Sequence, residues 1–305
     1  MKKTIRHSGQ TLAKGRSAVA PSPAAAGFRP AGAALAVAAA FSGWMPQAWA
    51  QPAGAQVIHG SATFQTNGAN LLVTTGNGAG TSHSAINWQS FSVPGGSVTH
   101  FAQPSAASTS INRVVGNDPS AIFGTLSSNG RLVLVNPAGI AVGAGAVVDT
   151  AGFTASTLKM SEANALAGRL VFGDGGGGAL SVAGQIVARS GDVVLIAPNV
   201  QTGAEAVIRS EGGATVLAAG QKVEITGRGL EGIRLEVAAG GEAVNLGQLK
   251  GDAVGIFAGT LRHSGLISAS AATVDGGKVV LKAQGDALVG GGIVAGRGDK
   301  GGQID

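Results

Sequence analysis

Short apolar, β-branched runs separated by glycine and polar turn residues make up most of the chain after residue 50. Runs of this kind are Asn70–Thr75, Gly96–Phe101, Gly191–Ala197, Glu205–Ser210, Ala214–Gly227, Gly232–Ala238 and Gly277–Ala283. Their length and their Val, Ile and Thr content are typical of β-strands. One stretch, SEANALAG, predicts a short helix with Ser161 as its N-cap and Gly168 as its stop. The pattern therefore predicts an all-β protein.

A loose repeat of the form Gly-x-[Ile/Leu] runs through the second half of the chain. It starts at Gly184, Gly247, Gly265 and Gly291, at irregular intervals of roughly twenty residues or small multiples of that period. Parallel strands that are not joined by helices need another crossover, and stacked coils supply one. The repeat therefore predicts a parallel β-helix. The alternative is an antiparallel sandwich or barrel, because TNGAN, GNGAG and SSNGR are hairpin-type turn sequences.

The segment RLVLVNPAGIAVGAG, Arg131–Gly145, contains an Asn-Pro pair within an apolar run. Proline donates no hydrogen bond to a β-ladder, and the residue before it avoids the helical region. We therefore predict a strand at Leu132–Val135, a sharp corner at Asn136 and Pro137, and a new strand from Ile140. Alternate side chains of the first strand should point to opposite faces, one set into the coil and the other towards a packed extension or solvent.

Composition and charge exclude several classes of protein. The chain has no Cys, 52 Gly and 12% charged residues, which argues against a disulfide scaffold and an ordinary helical domain. The net charge of +5 depends on basic residues in the first fifty positions, where no acidic residue occurs: Lys2, Lys3, Arg6, Lys14, Arg16 and Arg29. The remainder carries slightly more acidic than basic residues, so we expect no nucleic-acid partner.

The first fifty residues have the layout of an extended secretory signal peptide. A basic region precedes the apolar stretch Ala31–Phe41, and Ala48 and Ala50 occupy the small-residue positions of a cleavage site. We therefore predict a signal peptide over residues 1–50 and a mature chain that begins at Gln51. The alternative is a membrane anchor, although an apolar core of about eleven residues is shorter than the ~20 that span a bilayer.

Enzymatic chemistry has to be considered because β-helices also carry polysaccharide-degrading activities, which need paired carboxylates or carboxylates clustered around calcium. The aspartates lie singly, mostly beside glycine: Asp118, Asp149, Asp174, Asp192, Asp252, Asp275, Asp286 and Asp299. The histidines show no metal-ligand spacing: His59, His83, His100 and His263. We therefore predict turn roles for the aspartates, and no catalytic, cofactor-binding or metal-binding residues. Trp88, Phe91 and Phe101 are expected to fill the early core or cap.

Several long stretches of the chain resemble a known family. These stretches are similar to the N-terminal secretion domain of two-partner secretion exoproteins. That domain is also described as the filamentous haemagglutinin N-terminal or haemagglutination activity domain. The similar stretches are Ser84–Val93, Ile111–Leu158, Leu217–Gly227 and Glu242–Leu249. Within that family, their spacing is most similar to the high-molecular-weight non-pilus adhesins. The resemblance covers about Val57–Asp305, and we expect residues 51–305 to form one secretion domain.

The resemblance implies a right-handed parallel β-helix with an N-terminal cap. It also implies export through the Sec translocon, followed by recognition by a dedicated TpsB-type outer-membrane pore. The family motif NPNGI falls on Asn136, Pro137, Ala138, Gly139 and Ile140, with Ala138 in place of the second asparagine. Asn136, Pro137, Gly139 and Ile140 are therefore the expected secretion motif, with one role in shaping a corner and another in the export signal.

These features predict a secreted adhesin- or haemagglutinin-type exoprotein, whose host receptor or glycan the sequence does not identify. The alternative is a secreted β-helical polysaccharide-degrading enzyme. At about twenty residues per coil, residues 51–305 would form about a dozen coils. Because the sequence ends at RGDKGGQID without a polar capping segment, we expect either the N-terminal piece of a larger exoprotein or a minimal member whose end is covered by something else.

Overall fold

The computed structural model describes residues 51–173, 175–237, 240–271, 277–297 and 300–305. Within these ranges the chain forms thirty strands, one short α-helix and one 3₁₀ turn. The signal-peptide prediction, apart from Gln51, lies outside the described residues. The same is true of three aspartates for which turn roles were predicted: Asp174, Asp275 and Asp299.

The first half of the chain contains fifteen strands and the helix. The strands are β1 Gln56–His59, β2 Ser61–Asn67, β3 Asn70–Gly76, β4 His83–Trp88, β5 Val98–Ala102, β6 Thr109–Val114, β7 Ser120–Ile122, β8 Thr125–Ser128, β9 Arg131–Val135, β10 Ile140–Val142, β11 Val147–Thr150, β12 Gly152–Ser156, β13 Leu170–Phe172, β14 Leu180–Val182 and β15 Gln185–Ala188. The helix α1, Glu162–Leu166, lies between β12 and β13.

The second half contains fifteen further strands and the 3₁₀ turn at Leu230–Gly232. The strands are β16 Val193–Ala197, β17 Asn199–Thr202, β18 Val207–Ser210, β19 Ala214–Ile225, β20 Ile233–Val237, β21 Glu242–Asn245, β22 Gln248–Gly251, β23 Ala253–Ala258, β24 Thr260–His263, β25 Leu266–Ala269, β26 Lys278–Ala283, β27 Ala287–Val289, β28 Gly292–Arg297, β29 Lys300–Gly301 and β30 Gln303–Ile304.

The strands form three sheets, and from β7 onwards successive coils contribute one strand to each. The first sheet follows the order β1-β4-β6-β9-β12-β16-β19-β23-β26-β30, the second runs from β2 through β3, β5 and β8 to β28 and β29, and the third has the order β27-β24-β21-β17-β14-β10-β7. Pairing between successive coils is parallel. The predicted right-handed parallel β-helix is therefore confirmed, and the antiparallel sandwich is wrong.

The N-terminal cap is built from antiparallel strand pairs. Strand β1 pairs antiparallel with β4, and β2 and β3 form a hairpin that turns at TNGAN, where Gly68 has φ +57°. The other two hairpin-type sequences connect strands that pair with neighbouring coils. Trp88, Phe91 and Phe101 are buried beneath the cap, with ring centroids 5.5 and 6.2 Å apart for successive pairs. The three aromatic residues therefore fill the early core, as predicted.

The interior of the coil is a column of stacked apolar side chains. In the first sheet, Leu134, Ala155, Leu195, Leu217 and Ile256 occupy matching register positions on five successive coils, and all are buried in the inner core. Dispersion contacts between coils at this spacing supply much of the stability of a solenoid.

The repeated glycines lie at coil corners. An added Cβ at Gly265 would lie 2.1 Å from the carbonyl oxygen of Gly247 one coil earlier, and one at Gly291 would lie 2.3 Å from that of Gly265. A side chain does not fit at this separation, so the Gly-x-[Ile/Leu] repeat marks the tight corner that leads into the second sheet.

A second hydrophobic core covers the outer face of the first sheet. The outward column Val133, Val194 and Val216 packs with Phe172 of β13 and Val223 of β19. Strand β19 extends beyond the coil to pair antiparallel with both β13 and β20. The alternating faces of Leu132–Val135 are therefore both buried, one set in the coil and the other beneath this extension.

Helix α1 is part of the same extension and matches the helix predicted from SEANALAG. The Ser161 hydroxyl accepts a hydrogen bond from the Asn164 amide at 3.2 Å, and Gly168 adopts φ +67° after the helix ends. In the described part of the chain, no helix has the length and apolar character needed to cross a membrane.

The expectation of about a dozen coils is wrong. Nine strands run parallel in the first sheet, from β4 to β30. The number is lower because residues of the cap and of the extension pair outside the stack of coils.

Candidate functional site

Asn136 is fully buried at the corner between β9 and β10, with no exposed side-chain surface. Its Nδ2 donates hydrogen bonds to the Asp118 carbonyl oxygen and to Ser120 Oγ, both at 2.9 Å. Its Oδ1 accepts a hydrogen bond from the Ala138 amide at 3.0 Å. The side chain therefore ties the corner to the preceding coil and also closes the local turn.

Backbone hydrogen bonds connect the same corner to later parts of the chain. The Asn136 amide donates to the Ser156 carbonyl oxygen at 2.9 Å, and the Gly139 amide donates to the Asn136 carbonyl oxygen at 3.1 Å. The Gly178 amide donates to the Pro137 carbonyl oxygen at 3.1 Å. Gly139 has φ +131°, a conformation that L side chains rarely adopt. The predicted sharp corner is confirmed.

The predicted secretion motif divides into a buried part and a surface part. Asn136 and Gly139 are buried, and so is Ile140, which pairs with Ser120 in the third sheet. Pro137 is half-buried, as is Ala138. The role of this motif in export stays a prediction.

The surface part of the corner borders a cleft of about 780 Å³, which we call the corner cleft. Buried apolar side chains that line it are Val114, Val135 and Met160. The connection after β6 forms another part of its wall and includes Val115, which is 47% exposed. The remaining lining residues are Arg113, Gly116, Asn117, Pro137, Ala138, Lys159, Ser161 and Gly176.

The charged side chains that line the corner cleft are both basic. Arg113 Nε donates to the Met160 carbonyl oxygen at 3.0 Å, and Nη1 donates to Asn87 Oδ1 at 2.8 Å and lies 3.5 Å from Glu162 Oε2. Lys159 is exposed, and no ion pair of its ammonium occurs within the described residues. The cleft therefore combines an apolar floor with one fixed and one free positive charge.

The predicted turn role holds for Asp192 and is wrong for Asp149. Asp192 lies at a strand start, where its Oδ1 accepts from the Ala214 amide at 2.7 Å and its Oδ2 accepts from the Gly229 amide at 3.0 Å. Asp149 instead lies within β11 and pairs with the Arg189 guanidinium. Within the described ranges, no three His, Asp or Glu side chains gather closely enough to hold a metal ion.

Two histidines have buried, structural surroundings. The His83 ring stacks on His59 with centroids 4.3 Å apart, and its Nε2 donates to the Leu166 carbonyl oxygen at 3.1 Å. Burial lowers the pKa of His83 below 6.5, and it does the same for His263. His100 lies near the surface of the second sheet, where its Nδ1 is 2.9 Å from Ser127 Oγ.

His263 belongs to a buried hydrogen-bonded chain that crosses successive coils, which we call the polar ladder. Thr202 Oγ1 donates to Asn245 Oδ1 at 2.6 Å, and Asn245 Nδ2 lies 2.9 Å from His263 Nδ1. Because an amide NH₂ can only donate, Nδ1 accepts and the ring proton is on Nε2, which points to the Gly292 carbonyl oxygen at 3.4 Å. The ladder therefore requires neutral His263.

The sequence contains a signal for this ladder that the histidine spacing considered above does not include. Asn245 and His263 each stand two positions before a repeat glycine, Gly247 and Gly265. Aligning the coils on these glycines places the two side chains in one column. The corner cleft had no comparable signal, because its walls come from four separate segments of the chain.

The family model of the TPS secretion domain matches residues 48–305. Among solved structures, the HMW1 secretion domain from Haemophilus influenzae is similar, with a TM-score of 0.71 and 34% sequence identity over 80% of this chain and 66% of that one. The heme/hemopexin-binding protein of Haemophilus influenzae strain Rd is 33% identical over 111 residues, which are 36% of this chain and 12% of that protein. A second Haemophilus influenzae protein of the same name is 29% identical over 107 residues.

The fold and these matches define a class of protein, the exported exoproteins of two-partner secretion. The chain belongs to the TPS secretion domain family. The resemblance derived from the sequence motifs is therefore confirmed, together with the location at the cell surface or in the medium. The aligned segments span only about a tenth of the length of the curated relatives.

Proposed function

We propose that the chain is the secretion module of an adhesin- or haemagglutinin-type exoprotein, and that its Asn-Pro corner belongs to the signal recognised by the transporter. The observation that supports this role is the division of the corner into buried and surface residues. Asn136, Gly139 and Ile140 determine its shape from within, whereas Pro137 and Ala138 present that shape at the surface. A transporter would therefore contact the second pair.

The proposed route begins with residues 1–50 as a signal peptide for the Sec translocon. Cleavage after Ala50, with Ala48 and Ala50 in the small-residue positions, leaves Gln51 as the first residue of the mature chain. The chain has no cysteine, so no disulfide can form in the oxidising periplasm before export.

We propose an attachment function, with a host-cell receptor or glycan as the partner, rather than catalysis. Family membership supports an exoprotein over the polysaccharide-degrading enzyme. Heme binding, to which the names of two relatives refer, is not proposed for this chain, because the aligned segments cover so little of those proteins. His263 also has both ring nitrogens engaged by Asn245 and Gly292.

The test is release of the chain into the medium from cells with and without the TpsB-type transporter. We expect release only with the transporter, and a mature N-terminus at Gln51 by mass spectrometry. Replacing Asn136 with Ala should reduce release at matched periplasmic levels, whereas the exposed corner variant Asn129→Ala should not.

Equal release without the transporter would refute the pathway. Equal release of the Asn136→Ala and parent chains would refute the role of the motif alone.

A further inference from the structure

We propose that the corner cleft is the docking site for an extended, carboxylate-bearing segment from the periplasmic part of the transporter. This inference rests on the proposed export function and adds to it a place of contact and the chemistry of the partner. Pro137 and Ala138, the surface residues of the secretion corner, form part of the cleft wall. A segment bound there would contact the motif directly.

The size and floor of the cleft suit a peptide better than an ion. A volume of about 780 Å³ lies within the range that encloses a ligand of several side chains. Val114, Val135 and Met160 offer buried apolar surface, and Val115 adds an exposed apolar side chain beside them. An apolar side chain of the bound segment would find its contacts here.

The charges of the cleft select an acidic segment. Lys159 and Arg113 line it, and no acidic residue does. Arg113 is held in place by Met160 and Asn87, so its guanidinium is positioned before a ligand arrives, whereas the exposed Lys159 ammonium can move to meet a carboxylate. Complementary charge of this kind steers encounter and fixes orientation.

Glu162 is the acidic group nearest to Arg113, at 3.5 Å, and it is 57% exposed. This partial neutralisation leaves Lys159 as the main free charge. Reversing the charge of Lys159 should therefore weaken docking most, and it would not remove a contact that supports the fold.

The test measures binding of the secreted mature chain to the purified soluble periplasmic domains of its transporter. Lys159→Glu should raise the Kd about tenfold, while the matched exposed variant Lys282→Glu should change it less than about twofold. The affinity of the parent should fall with added salt, and that of Lys159→Gln should depend less on salt. Unchanged circular dichroism and thermal midpoints will show that both variants are folded.

A second measurement places the contact in cells. A photo-crosslinking amino acid at position 115 should capture the transporter, identified with an antibody, whereas the same group at the exposed Leu288 should not.

Equal Kd values for the two lysine variants, or capture of the transporter at position 288 but not at 115, would overturn the docking site and leave transporter-dependent export intact. If the parent chain does not bind the periplasmic domains at all, the docking site is rejected. The proposed function is tested separately by the cellular assay, where release that does not depend on the transporter would refute it.

Discussion

Replacing Asn136 with Ala should destabilise the coils on either side of the corner. The substitution removes three side-chain hydrogen bonds, to the Asp118 carbonyl oxygen, Ser120 Oγ and the Ala138 amide. Each such bond contributes about 1 kcal/mol net, and a buried partner left without one costs somewhat more. We therefore expect the free energy of unfolding to fall by about 3 kcal/mol.

Asn129 provides the matched control because its side chain also bridges two coils. Its Oδ1 accepts from the Gln103 amide at 2.7 Å, and its Nδ2 donates to the Gln103 carbonyl oxygen at 2.8 Å. Asn129 is exposed, so water can replace both bonds, and Asn129→Ala should cost at most about 1 kcal/mol.

The assay is urea unfolding of the mature chain followed by circular dichroism, with hydrogen exchange to locate the loosened segment. Asn136→Ala should lower the midpoint more than Asn129→Ala and increase exchange in residues 118–140. Equal midpoints for the two variants would refute the argument that the buried hydrogen bonds of Asn136 contribute more to stability than the exposed ones of Asn129.

Two further predictions concern the core and the polar ladder. Leu134→Ala should lower the free energy of unfolding by about 2–5 kcal/mol because it leaves a cavity in the inner column. The control Leu288→Ala, at a residue that is 49% exposed, should lower it by less than about 0.5 kcal/mol. Chemical denaturation of both variants measures the difference. Because the folded pKa of His263 lies below 6.5, the unfolded chain binds more protons, so stability should be complete above pH 6.5 and fall as the pH drops towards the folded value. Denaturation midpoints across this range should decline less for His263→Gln, while His83, whose pKa is also lowered, continues to contribute a decline of the same sign.

The parts of the fold that the sequence predicted are those set by local chemistry. The strand, corner and helix positions followed from proline, glycine and capping residues, as at Asn136 and Ser161. The repeat glycines predicted tight corners, and Gly265 lies against the backbone of the previous coil. These features depend on neighbouring residues, so a single sequence is sufficient to find them.

The parts that could not be predicted depend on pairing between distant residues. The run Ala214–Gly227 gave no sign of where β19 leaves the coil, although its second half pairs antiparallel with β13 and β20. Because the second half of β19 and the strands of the cap pair outside the stack, the molecule has fewer coils than its length predicts. The corner cleft likewise needs the positions of Arg113, in β6, and Lys159, in the connection after β12.

The extension has a consequence for the order in which the molecule can assemble. Within the coil, each strand finds its partner one turn away, so contacts can form as the chain advances. The second core cannot form in this stepwise way, because Leu170 pairs with Ile225, and several coils lie between these two residues in the sequence. If coils form in chain order, Val133 and Phe172 would stay in contact with water until β19 arrives. In that order, closure of the extension would be a late step, and a segment that binds the open face of the first sheet would distinguish a partly folded chain from a folded one.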